Sequence, residues 1–126
     1  MKTTRTTLLA VALVAVLGAC STASGGESST PPTDADATVT AADMAFAPGT
    51  VTVTAGEDFS LALVNQDSMP HNIAIYTDSS RSEKLFEGEM VTDGTIVYDI
   101  SALEPGEYFF DCSLHPNMTG TLVIQG

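Results

Sequence analysis

Tyr108-Phe109-Phe110-Asp111-Cys112-Ser113-Leu114-His115-Pro116-Asn117-Met118 is the stretch on which the reading of this chain turns. It opens as an apolar, strand-like run and then sets Cys112, His115 and Met118 at a C-x2-H-x2-M spacing. The chain holds only two Cys, two His and five Met. Composition alone would give that spacing in roughly one chain in a thousand, so it is a signal with chemical content. A thiolate and two imidazoles in a trigonal plane, with a weak axial thioether, suit both redox states of a copper ion. The stretch supplies one thiolate, one imidazole and one thioether. The second imidazole has a single source, His71, the only other histidine.

Outward from that stretch, Met69-Pro70-His71-Asn72 opens the short run Ile73 to Tyr76, which puts His71 at a strand end. Cys112 closes one run and Met118 leads into the next, Thr119 to Ile124. In a Greek-key sandwich such ends meet at one pole. His71, Cys112, His115 and Met118 are therefore the candidate ligands of one copper ion, with Met69 a second candidate for the axial place. Asn72 is placed to hydrogen-bond across to the Cys112 loop and steady both sides. Metal ligation also accounts for an unpaired thiol in a chain routed to an oxidising compartment. Glu87-Gly88-Glu89 reads as a solvated turn, the alternative being that Glu87 or Glu89 reaches the metal.

The remaining pattern is all-β. Thr50 to Thr54 alternates and then turns at Ala55-Gly56-Glu57; Phe59 to Val64 runs to Asn65-Gln66-Asp67. Thr95 to Ile100 precedes the turn Glu104-Pro105-Gly106, and Glu107 to Cys112 follows it. Short runs of this kind between Gly and Pro turns predict an antiparallel Greek-key sandwich or barrel of about seven to eight strands. No stretch carries a helical period. Thr77 to Gly94 is one long polar excursion, a loop with a short strand or turn near Leu85-Phe86.

The N-terminal part belongs to export rather than to the fold. Lys2 and Arg5 precede the apolar run Leu8 to Leu17, a signal peptide over residues 1–19. That run is too short to span a bilayer, which takes about 20 apolar residues. Leu17-Gly18-Ala19-Cys20 resembles the lipobox of bacterial lipoproteins, which makes Cys20 the lipidation site. Residues 20–37 are then the lipidated cysteine and a small, polar, Pro-rich tether without a core-forming pattern. Residues 38–126 form one domain. The whole chain carries a formal charge of −12, and removal of Lys2 and Arg5 with the signal takes it to −14. Nothing there would neutralise phosphates, so nucleic acid is not a partner. An acidic excess of this size means solubility and attraction to a basic partner, or a high-salt habitat.

A family resemblance rests on Phe46-Ala47-Pro48-Gly49-Thr50-Val51-Thr52-Val53, Gly56, Asn65, His71-Asn72 and the Cys112 to Met118 loop. Together they resemble the cupredoxins of the plastocyanin and amicyanin type, in the form of a bacterial secreted lipoprotein. The short C-x2-H-x2-M loop is more similar to that of amicyanins. Leu114 stands where many family members have proline, and the Thr77 to Gly94 loop is not closely amicyanin-like. The resemblance implies a mononuclear blue copper protein that carries electrons outside the cytoplasm, anchored to the membrane through Cys20. Its partner would be a redox protein, a cytochrome or an oxidase, met by a monomer. Storage or delivery of copper ions is the alternative function. Catalysis is not expected, because both histidines are spent on the metal and none remains as a base. A binuclear copper centre would need a second cysteine in the loop.

Overall fold

The structure, a computed structural model, describes residues 34–126; the signal, Cys20 and nearly all of the tether lie outside them. Nine strands and no helix make up the described residues. They are β1 (Ala37–Ala42), β2 (Ala45–Ala47), β3 (Thr50–Thr54), β4 (Phe59–Asn65), β5 (Ala74–Tyr76), β6 (Lys84–Glu87), β7 (Gly94–Ile100), β8 (Gly106–Cys112) and β9 (His115–Gln125). One sheet runs β2-β1-β4-β7 and the other β3-β9-β8-β5-β6. The expected sandwich is present, with nine strands rather than seven or eight.

Strand direction departs from the expectation. β1 pairs with β4, and β3 with β9, in parallel, so both sheets are mixed rather than antiparallel. A period of two records which face a residue takes and says nothing of strand direction. β1 and β2 carry weak patterns. In Ala37–Ala42 the buried positions are only Val39 and Ala41, too small to stand out. β6 realises the short strand expected near Leu85-Phe86.

Alternation fills the space between the sheets. Val51 and Val53 point in from β3, Leu61 and Leu63 from β4, Phe110 and Cys112 from β8, and Leu122 and Ile124 from β9. Phe110 and Phe46 stack across the core with centroids 5.5 Å apart. Phe110 also lies over Gly120, its cross-strand partner; a Cβ there would fall 2.1 Å from the ring. Cys112 and Met118 continue the inward faces of β8 and β9 to the end of the sandwich, at 0% and 1% exposure. These two candidate donors therefore extend the core stripe to one pole.

Candidate metal centre

β8 and β9 turn through Ser113 and Leu114, with Cys112 opposite His115 across the turn. His71 lies just before β5 and pairs its backbone with Val91, N–H to O and O to N–H, at 3.0 and 2.9 Å. These two attachments bring three donors together. Nδ1 of His71 and Nδ1 of His115 are 3.1 Å apart. The Cys112 Sγ is 3.7 Å from the first and 3.5 Å from the second. A triangle with those sides has its centre about 2.0 Å from every corner. First-row metals bond imidazole nitrogen at about 2.0–2.1 Å and thiolate at about 2.3 Å, so the three donors fit such an ion. Met118 is buried in the same cluster of core residues as Cys112, three residues beyond His115.

The tautomer of His71 supports this fit. Nε2 of His71 donates to the Asp67 carboxylate at 2.9 Å, which in the neutral imidazole leaves Nδ1 as a bare lone pair. That lone pair faces the Nδ1 of His115, an arrangement that calls for a cation or a shared proton between them. Asp67 is itself held. Its two oxygens accept the backbone N–H groups of Asp43 and Met44 at 2.8 and 3.1 Å. Asp43 and Met44 form the two-residue turn from β1 to β2, both at positive φ (52° and 61°), a conformation that glycine or asparagine usually supplies. The same carboxylate thus steadies a strained turn and orients the His71 ring. The Met44 amide chiefly, with the His71 bond adding to it, holds the Asp67 pKa below the usual carboxylate range against some desolvation.

Asn65 extends the frame. Its Nδ2 donates to Met69 O at 2.7 Å and to Val91 O at 2.8 Å, and its Oδ1 accepts the Asp67 N–H at 2.9 Å. Asn72 accepts the Ser113 N–H at 2.9 Å and donates to Gly88 O and to Ser113 Oγ. Ser113 Oγ in turn donates a hydrogen bond to Glu87 at 2.8 Å, and Glu87 also binds Lys84. Glu87 therefore ends a strand with both oxygens engaged, rather than lying in a free solvated turn. His71 is fully buried and His115 only partly so. Around them Met69 and Leu114 are 49% and 54% exposed. Asp67 was legible only as a turn residue; the missed signal was a carboxylate four residues before a candidate ligand histidine.

A thiolate, two imidazoles and a buried thioether at one pole of a β-sandwich define a small protein carrying one redox metal. The family described as Cupredoxin-like domain matches residues 9–124, and this chain belongs to it. It is similar to amicyanin from Paracoccus versutus, at 36% identity over 92 residues, 72% of this chain and 67% of that one. The crystal structure of that amicyanin superposes with a TM-score of 0.59 at 33% identity, over 77% of this chain and 87% of that chain. Reduced auracyanin from Roseiflexus castenholzii shares the fold, with a TM-score of 0.61 at 18% identity, over 71% and 96% of the two chains. The cofactor is a single type 1 copper, and the function is electron transfer.

Proposed function

We propose that His71, Cys112, His115 and Met118 hold that copper, and that the chain carries electrons outside the cytoplasm while moored to a membrane by lipid on Cys20. The observation that carries the ligand assignment is the triangle of two Nδ1 atoms and one Sγ, closed at 3.1, 3.5 and 3.7 Å. Copper supplies a one-electron couple that needs little rearrangement in such a donor set. The protein supplies the rest. Asp67 fixes the tautomer of His71, Asn72 ties the two ligand-bearing loops, and the apolar walls exclude water. The partly exposed ring of His115 is the exit for the electron, with Met69, Leu114 and Pro116 as an apolar collar. The chain works as a monomer, and with both histidines engaged it has no catalytic base, so it carries rather than converts.

Anchoring rests on the order of segments: signal peptide 1–19, lipidated Cys20 with tether to 37, copper domain 38–126. Two tests apply. Copper-loaded mature domain should absorb strongly at roughly 600 nm through the Cys112 thiolate. Cys112→Ser should abolish the band, His71→Ala should weaken binding severely, and Met118→Leu should keep copper and raise the potential. A folded domain that stays colourless and copper-free after reconstitution overturns the assignment. Cys20→Ala should free the protein from the membrane. Retention of that variant, with no lipid mass on the wild type, overturns the anchor.

A further inference from the structure

The Thr77 to Glu83 excursion between β5 and β6 has no part in the site so far described, yet it is built firmly. Thr77 N–H closes it on Glu83 O at 3.1 Å, and the Asp78 side chain accepts the Ser80 N–H at 2.7 Å. Within it Arg81 adopts a φ of +58°, the left-handed conformation that a long side chain seldom takes. The turn sends the guanidinium onto the metal pole, where it has three partners. Its Nε binds the Asp111 carboxylate, and one terminal nitrogen donates to Pro116 O at 2.8 Å. Its Cζ lies 4.9 Å from the centre of the Phe109 ring.

Those partners flank the ligands. Asp111 immediately precedes Cys112, and Pro116 immediately follows His115. We infer that Arg81 is a positioning residue that clamps both limbs of the Cys112 to Met118 loop and so holds His115 against His71 and Cys112. Asp111 shows how far the site depends on it. Its side chain is 3% exposed, and its second oxygen, Oδ1, is buried without a hydrogen-bond partner among the described residues. Arg81 is the one ion-pair partner of that carboxylate among the described residues, and the planar fork is what lets one side chain serve two acceptors.

Arg81→Lys tests the clamp, because it keeps the charge and loses the fork. In metal-free protein, hydrogen exchange at Leu114, His115 and Asn117 should quicken while β3 and β4 stay protected. In loaded protein, copper release to a chelator should quicken about ten-fold, within the range for groups supporting a ligand from outside. The double variant Arg81→Met/Asp111→Asn balances the charge without the fork and should behave alike. Unchanged loop exchange and unchanged release in Arg81→Lys would overturn the clamp. So would exchange raised across the whole sandwich, since Arg81 would then serve the fold at large. The release measurement rests on the four-ligand reading proposed above. Wild-type protein that took up no copper would count against that reading, and exchange in the metal-free chain would still decide the clamp.

Discussion

The metal pole and the body of the sandwich are organised on opposite rules. In the body, apolar side chains fill the space between sheets and polar ones face water. At the pole the arrangement inverts. All four polar residues buried among the described ones, Asn65, His71, Asn72 and Asp111, lie there. Four of the six large apolar side chains left exposed among the described residues are there too: Met44, Met69, Met90 and Leu114. Met44 adjoins the amides that bind Asp67, and Met90 precedes the Val91 that pairs with His71. A buried polar group costs stability unless every hydrogen bond is made, so a pole of this kind is retained for what it does to the metal. The body is optimised for cohesion and the pole for geometry and contact.

The largest effect should come from breaking the body. Phe110→Ala removes the ring that spans the core to Phe46 and covers Gly120. Loss of about 3–5 kcal/mol is the usual cost for a buried phenylalanine, read as a lower denaturation midpoint. The copper spectrum of the molecules still folded should change little. A changed spectrum with unchanged stability would reverse the assignment of roles.

Asn72→Ala should do the opposite. It strips the Ser113 amide of its acceptor and the Gly88 carbonyl of a donor. The expected cost is smaller, about 1–3 kcal/mol for leaving such groups unpaired. The optical and resonance signals of the copper should shift, because the loop holding Cys112 and His115 loses its tie to the His71 side. Denaturation and spectroscopy on the same sample check both halves.

Much of this division was legible in the sequence, for a physical reason. The candidate ligands are suggested directly by residue type, so Cys112, His115 and Met118 stand out by spacing, and His71 follows as the only imidazole left. Inward faces of β3, β4 and β9 are legible because apolar residues recur there at every second position. Ala41 and Val39 fill a buried face with little volume, which hid β1. The supporting groups were hidden for another reason. Asp67, Glu87 and Arg81 are ordinary polar residues in turn-like surroundings, and only the three-dimensional path gives them partners. Arg81 reaches Pro116, 35 positions away, and no local pattern encodes that contact.

A third experiment sharpens the contrast on the surface. Neither base of the described residues stands free: Arg81 pairs with Asp111 and Lys84 with Glu87. The remaining acids leave the described surface strongly negative. Electron transfer to a basic cytochrome should therefore slow about ten-fold as ionic strength rises from roughly 0.02 to 0.2 M. Leu114→Gln should slow transfer at every ionic strength with the spectrum unchanged. A flat or rising rate would remove charge steering, and an unaltered Leu114→Gln rate would move the exit path away from His115.

The smallest effect belongs to the body's own carboxylates. Asp36 accepts the Ser60 N–H at 2.7 Å and the Ser60 hydroxyl at 2.8 Å, tying the start of β1 to β4. The Ser60 amide chiefly, then its hydroxyl, holds the Asp36 pKa below the ordinary value. A group whose folded pKa is depressed contributes stability that is present above its unfolded pKa, about 3.9 for aspartate. That contribution is lost as pH falls through the lower folded value. Asp36→Asn should thus lower stability slightly at neutral pH and leave it nearly unchanged once the wild-type carboxyl is protonated. Denaturation midpoints of the two proteins should converge as the solution is acidified below about pH 4. The copper band at neutral pH should be the same in both, because Asp36 touches β4 and none of the groups that frame the metal. A gap that persists at low pH would mean that Asp36 acts through shape rather than charge. A displaced copper band would show that the body and the pole are coupled more closely than their separate contacts indicate.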